Sequence, residues 1–371
     1  MSIGVMAGIL LVAGFMAVQF SPRASAPSKA AAPTTAAVDY GAPLPSVRLI
    51  WVQDPNHAGG LIGFDWTGQP RGIVKRAQPL GEGESLAQSP DGSTFAYTPA
   101  AKGGYQQFLD RFGNPLPGLD SSVRSQSQMW ADDSRHMCAL DFSGGLGGQW
   151  MINLRLPGAA PTSGSVVGLD PTIVQSGIIA LSLVACSVRN DRAVIEYNYF
   201  GRPTEFWIVR ISDGAIVQQH TYATGELVSV TASPGGDVIA ENSGKSAGQA
   251  APAAASTFIR HASDLSAITT LDPSIGVLGF NSDGSLALVT LTPQAPGTAT
   301  DLAVIDANNG NVVWRYKGTE QFSTYLEEPD GVDIAVMTRA LGDTSIHPSV
   351  SIVIVRGRTG ETNIPGRYPL P

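Results

Sequence analysis

The chain has 371 residues, only 15% of them charged, with 42 glycines, 26 prolines and a formal net charge of −8. A single hydrophobic core stops growing near ~250–300 residues, so this length implies two domains or an array of small cores built side by side. Gly and Pro cost roughly 1 and 3 kcal/mol in a helix interior, which disfavours a helical protein and favours short strands joined by turns. The acidic balance argues against nucleic-acid binding through backbone phosphates.

The first element is residues 3–20, IGVMAGILLVAGFMAVQF, which carry no charged side chain. About 20 apolar residues cross a bilayer, so residues 1–20 are expected to form a transmembrane signal anchor. A cleaved signal peptide is the rival, but the candidate site Ala24-Ser25-Ala26 is followed by Pro27, whose ring and missing N–H fit a protease cleft poorly. No Cys follows the apolar run, which argues against a lipoprotein anchor. Residues 21–42 are rich in Ala, Pro, Ser and Thr and are expected to be an extended spacer. The folded body is then 43–371.

Orientation rests on two opposing signals. Arg23 and Lys29 lie after the apolar run, which by the positive-inside rule would leave the body in the cytoplasm. The body is poor in Lys and rich in Gly, Ser, Thr and Ala, which suits an exported domain. We expect it outside, in a periplasm or at the cell surface.

Within the body two patterns alternate. The first is a small polar turn between two short apolar runs: SLAQSPDGSTFAY (85–97), SQMWADDSRHMCAL (127–140), SLVACSVRNDRAVIEY (182–197), VSVTASPGGDVIAE (228–241), GVLGFNSDGSLALV (276–289) and TYLEEPDGVDIAVM (324–337). Asp-Gly between apolar runs is a strong hairpin signal, because both central positions of the tightest hairpin turn need φ > 0. The second is a strand ending in a small-residue turn: LIGFDWTG (61–68), QQFLDRFG (106–113), WMINLRLPG (150–158), FWIVRISDG (206–214), TFIRHASDL (257–265), LAVIDANNG (302–310) and SIVIVRGRTG (351–360).

The unit recurs at intervals of roughly 47 residues, the length of a four-stranded propeller blade. An all-β propeller of seven blades is expected, with six or eight if one unit is divided differently. Blade one lacks an obvious inner strand, so the C-terminal RYPLP or residues near Pro43–Val47 are expected to complete it and latch the ring.

SPDGSTFAY, NSDGSLALV and EPDGVDIAV resemble the inner hairpins of TolB-like and WD-repeat-like bacterial propellers, over roughly residues 45–371. DLAVIDANNGNVVWRY also resembles blades of quinoprotein-type propellers. Such resemblance implies a fold, and fold alone does not assign an activity.

No catalytic, cofactor-binding or metal-ligating set is assigned from sequence. GxSxG is absent, and so are the Cys spacings of common zinc and haem sites. His57, His136, His220, His261 and His347 fall in separate repeats. Asp306 and Asn308 resemble the start of a calcium loop that lacks its distal Glu, and an Asn-Gly turn accounts for them better. Trp51, Trp66, Trp150, Trp207 and Trp314 fall on strands where aromatics fill space between blades, and Trp130 is a candidate for the channel. Cys138 and Cys186 are either two buried small hydrophobes, the preferred reading, or one disulfide between neighbouring blades in an oxidising compartment. The long connections 157–168 and 243–256 are candidate loops for function.

The expected function is a membrane-anchored, extracytoplasmic interaction or ligand-binding module without cofactor. Its partner, a protein or small ligand, would bind at the channel mouth or the top-face loops. The alternative is an extracytoplasmic propeller enzyme (glycosidase, lactonase or dehydrogenase) with a site at that mouth.

Overall fold

The computed structural model describes residues 48–371 except 58, 76–79, 82, 101–106, 120–124, 126, 143–147, 161–164, 174–180, 198–203, 223–226, 245–255, 293–297 and 346. The expected anchor and spacer, the Pro43–Val47 segment and most of the 243–256 insertion lie outside the described residues. Among the described residues there is no helix long and apolar enough to cross a membrane.

The described residues form seven antiparallel sheets, each a contiguous stretch of chain. Blade one has β1 (Leu49–Gln53), β2 (Gly60–Asp65) and β3 (Pro70–Lys75). Blade two has β4 (Ser85–Gln88), β5 (Thr94–Thr98), β6 (Gln107–Asp110) and β7 (Pro115–Leu116). Blade three has β8 (Ser127–Trp130), β9 (Met137–Phe142), β10 (Trp150–Arg155) and β11 (Ser165–Gly168). Blade four has β12 (Leu181–Ser187), β13 (Arg192–Tyr197), β14 (Glu205–Arg210) and β15 (Ile216–Thr221). Blade five has β16 (Leu227–Ala232), β17 (Val238–Gly244), β18 (Thr257–His261) and β19 (Ala267–Leu271). Blade six has β20 (Gly276–Phe280), β21 (Leu286–Thr290), β22 (Leu302–Asp306) and β23 (Val312–Arg315). Blade seven has β24 (Gln321–Glu327), β25 (Ile334–Arg339), β26 (Ser349–Val355) and β27 (Glu361–Pro369).

The six hairpin motifs are the first and second strands of blades two to seven, and the seven second motifs are the third strands of the full blades and β2 of blade one. Alternation in each strand sends side chains to two faces, one against each neighbouring blade. In blade four, Val194, Phe206 and Ile208 pack toward blade five, whereas Ala193, Ile195, Trp207 and Val209 pack toward blade three. Each pair of consecutive blades encloses its own buried cluster. The cluster that joins blade seven to blade one contains Ile50, Val52, Phe64, Ile352, Ile354, Ile364 and Tyr368. The ring is therefore closed.

Two expectations are corrected. The C-terminal RYPLP does not complete blade one: Tyr368 and Pro369 pair with Val350 and Ser349, so they belong to the outer strand of blade seven. The hydrogen-bonding edge of β26 was still open there, and β27 fills it after a bulge. The tail nevertheless lies beside blade one, with Tyr368 edge-on to Phe64 at 5.1 Å and the Leu370 carbonyl accepting from Gln53 Nε2 at 2.6 Å. On the inner side of β1, Gln88 takes the place of a strand. Its side-chain amide accepts from Trp51 N–H (2.9 Å) and donates to the Leu49 carbonyl (3.3 Å).

The second correction concerns the hairpin turns, which are not two-residue loops. Ser89 N–H donates to Thr94 O while Gly92 N–H donates to Ser89 O, and only Gly92 has positive φ (70°). Ser134, Gly236 and Gly284 hold positive φ at the equivalent position of their hairpins, whereas in blade four it falls one residue later, on Asp191, and in blade seven one residue earlier, on Asp330. The turn aspartates act locally: Asp91 accepts from Ser93 N–H and the Ser89 hydroxyl, and so fixes the loop.

Candidate functional site: the hairpin end of the channel

Strand direction puts all six hairpin turns at one end of the ring, around the channel. Neighbouring turns are tied to one another. The Asp132 carboxylate of blade three accepts from the Ser187 hydroxyl (2.6 Å) and Val188 N–H (2.9 Å) of blade four. Asp237 of blade five accepts from Asn190 Nδ2 (2.7 Å) and Arg192 Nη1 (2.6 Å) of blade four. The Ser282 hydroxyl of blade six accepts from the Asp330 N–H of blade seven at 3.2 Å.

One contact spans the channel. Arg189 in the turn of blade four forms an ion pair with Asp330 in the turn of blade seven. These blades are three steps apart in a ring of seven, so the contact crosses the axis. Arg48, immediately ahead of β1, donates to the same carboxylate at 2.7 Å. All three side chains are 39–46% exposed, which limits each pair to roughly 0–1 kcal/mol and makes it sensitive to salt. Asp330 holds φ at 54°, a left-handed conformation that orients its carboxylate toward both arginines.

Glu327 ends the inner strand of blade seven, three residues before Asp330. Burial pushes its carboxyl up to about 7, against a small opposing effect of its own backbone N–H. Part of the residue still meets solvent, and it is the desolvation of the carboxyl that raises it. Next to it, Tyr325 lies over Gly279 of blade six, where a Cβ would overlap the phenol. Burial, then the neighbouring Glu327, push the Tyr325 hydroxyl upward.

Cys138 of β9 and Cys186 of β12 are bonded to each other, with Cα atoms 6.5 Å apart. Both are buried in the cluster between blades three and four. The bond is the alternative reading of the sequence and replaces the preferred one, a pair of unbonded buried side chains.

Two other faces are polar. Toward blade two, blade three presents Asp141 and Arg155, an ion pair at 3.1 Å whose side chains are 7% and 3% exposed. Asp141 Oδ1, Asn153 Oδ1 and Arg155 Nη1 are buried without a hydrogen-bond partner. Toward blade four, blade five presents the pair Glu241–Arg260 at 2.9 Å. Tyr222 of blade four is buried beside that pair, and burial followed by the Glu241 charge pushes its hydroxyl upward.

The histidines are dispersed. His57 pairs with Asp54 (2.7 Å) and His136 with Asp133 (2.6 Å), His220 lies edge-on to Tyr222, and His347 bonds the Leu370 carbonyl (3.1 Å). His261 ends β18 beside an exposed turn. Among the described residues no group of three or more His, Cys, Asp or Glu is arranged to hold a metal ion. Asp306 caps its turn by accepting from Asn308 N–H and pairs with Arg358 of blade seven. Trp130 packs between blades two and three, tilted on Phe108 at 5.6 Å, with its indole N–H on the Ala87 carbonyl.

No protein-family model matches the chain, and no curated protein sequence does either. Among solved structures, the chain is similar to one from a study of two prolyl endopeptidases, at 12% identity over 87% of this chain and 50% of that one, with a TM-score of 0.52. It is similar to TolB from Acinetobacter baumannii at 13% identity over 87% of this chain and 80% of that one, with a TM-score of 0.41. It is also similar to the β-propeller domain of a Myceliophteria thermophila protein at 12% identity over 78% and 90%, with a TM-score of 0.43. The likeness is one of fold. This chain spans half the length of the prolyl endopeptidase it matches.

Proposed function

We propose that this protein is an interaction module: a β-propeller held outside the cytoplasm by its N-terminal apolar segment, binding a protein partner on a ring face. The observation that carries the location is the buried Cys138–Cys186 bond, since such bonds persist in oxidising compartments and are rare in the cytosol. The binding role is supported by how the polar groups at the hairpin end are used. Asp132, Asp237 and Asp330 are each engaged by donors from a neighbouring or opposite blade, so they tie the hairpins of different blades into one surface for display. Two measurements test the proposal. Protease treatment of intact cells against spheroplasts should cleave the propeller only where it is exposed, and full protection in both the periplasm and the outside would refute the location. Affinity capture with the full-length, membrane-extracted chain should recover a stoichiometric partner that ring-face substitutions abolish; failure of every such substitution to reduce capture would refute the binding role.

Glu327 favours a second reading, an extracytoplasmic propeller enzyme. A desolvated carboxyl held near neutrality at the end of an inner strand has the protonation behaviour of a general acid or base. An activity on any glycoside or lactone that Glu327→Gln abolished without unfolding the ring would establish this reading in place of the first.

A further inference from the structure

We propose that the ring opens reversibly at the face between blades two and three, with blades three and four moving as one disulfide-bonded body restrained by the Arg189–Asp330 pair. A propeller whose chain ends meet at one junction has an obvious place to part, between its last and first blades. In this ring that junction is well closed. It buries Ile50, Val52, Phe64, Ile352, Ile354 and Tyr368, and both backbone groups of Leu370 are held by hydrogen bonds, to Pro348 and Gln53.

Blades three and four are bound more tightly still. They share the disulfide, the Asp132 bonds to Ser187 and Val188, and a cluster that includes Trp150, Trp207, Leu140 and Ile195. On the other side of blade three the situation reverses. The described apolar residues fully buried between blades two and three are Ala96, Phe108 and Met137, with Leu116, Leu119 and Trp130 packed half-buried against them. Blade three also presents Asp141, Asn153 and Arg155 there, three side chains that each keep a buried atom without a partner among the described residues. Water entering an opened face would satisfy those atoms, which offsets part of the cost of exposing its apolar patch. The polar half of the face between blades four and five supplies compliance on the far side, while the Asn190 and Arg192 bonds to Asp237 keep it hinged. Besides the Trp130 indole bond to Ala87 and the Gly158 N–H bond to Pro117, which tie blade three to blade two, the two-blade body is restrained by the ion pair that crosses the channel from Arg189, exposed to solvent and therefore weakened by salt.

The chain's two cysteines are both in the disulfide, so one introduced cysteine is the sole free thiol of the protein. Ala96, Ala262, Ala287 and Ala335 are fully buried on four different inter-blade faces. Single alanine-to-cysteine variants of the full chain, checked by circular dichroism, would be labelled with a maleimide under native conditions. Ala96→Cys is expected to react at least about tenfold faster than Ala287→Cys or Ala335→Cys. Adding Arg189→Ala, or raising the salt, should accelerate Ala96→Cys severalfold and leave Ala335→Cys unchanged. Met137→Cys reports on the same face should Ala96→Cys fail to fold. Equal or faster labelling at Ala335→Cys would overturn the proposal, as would indifference of the blade two–three thiol to Arg189→Ala.

Discussion

Reducing the bond between Cys138 and Cys186 is expected to lower the stability of the propeller by about 4 kcal/mol. The bond closes a loop of 48 residues, and the loop-closure entropy it removes from the unfolded chain is about 14 cal/mol/K, or about 4 kcal/mol at 25 °C. The folded body runs to about 320 residues, whose unfolding entropy near 60 °C totals roughly 0.7 kcal/mol/K. The midpoint of thermal unfolding should therefore fall by about 6 °C. Equilibrium urea denaturation of the oxidised protein and of the same protein with reductant, with alkylation to count free thiols, measures the difference. Cys138→Ala/Cys186→Ala should fall at or slightly below the reduced protein, because it also loses two sulfur atoms from a close-packed face. Identical urea midpoints with and without reductant, in samples whose thiols are shown to be free, would refute the reasoning. The blades would then already be held in register in the unfolded ensemble, or packing alone would fix them.

Glu327 sets a pH dependence. Its folded carboxyl is pushed up to about 7 from an ordinary 4.5, so the native state holds the proton longer than the unfolded chain. That contribution to stability is complete below pH 4.5 and is lost as pH rises to 7, a decline of about 3 kcal/mol. Urea midpoints at pH 5 and pH 8 should differ more for the parent than for Glu327→Gln, and equal differences would place the carboxyl in ordinary solvent. Deleting residues 349–371 removes β26 and β27, including Val350, Ile352, Ile354, Ile364 and Tyr368 from the junction with blade one. At ~1.5–3 kcal/mol per buried side chain this loss reaches the whole ~5–15 kcal/mol of a typical domain, so the truncated chain should aggregate on size exclusion. A soluble monomer as heat-stable as the parent would contradict it. Gln88→Ala should cost about 1–3 kcal/mol, because Trp51 N–H and the Leu49 carbonyl lose their partner. An unchanged urea midpoint would show that β1 needs no cap there.

The blade order was legible because its signals are local. A turn such as Ser89–Thr94 is fixed by Asp91 two residues from the N–H it caps, and strand alternation needs only a few neighbours. Ring closure depended on where β27 meets β26, and no short-range pattern distinguishes that edge from the edge of β1. The bridge from Arg189 to Asp330 joins residues 141 positions apart, so sequence spacing carries no trace of it. Asp330-Gly331 also misleads, since the Asp and not the Gly takes the left-handed position. The polar face of blade three did leave a signal. In WMINLRLPG, Asn153 and Arg155 alternate with Ile152 and Leu154 within a strand expected to be covered on both sides. Polar residues at every second position of such a strand point to a buried polar face.

Among the described residues every blade of this ring is made from one stretch of chain, and no blade borrows a strand from the far end. A gene encoding such a protein gains or loses a blade by a single in-frame duplication or deletion between blades. A propeller that shares one blade between its termini would need both ends to change together. The same property permits circular permutation. New termini can be opened between any two blades, provided the old ones are joined by a linker that spans the height of one sheet. Arg48 lies at the hairpin end and Leu370 at the other, and β1 between them is five residues long. At ~3.3 Å per residue the linker must cover at least ~17 Å.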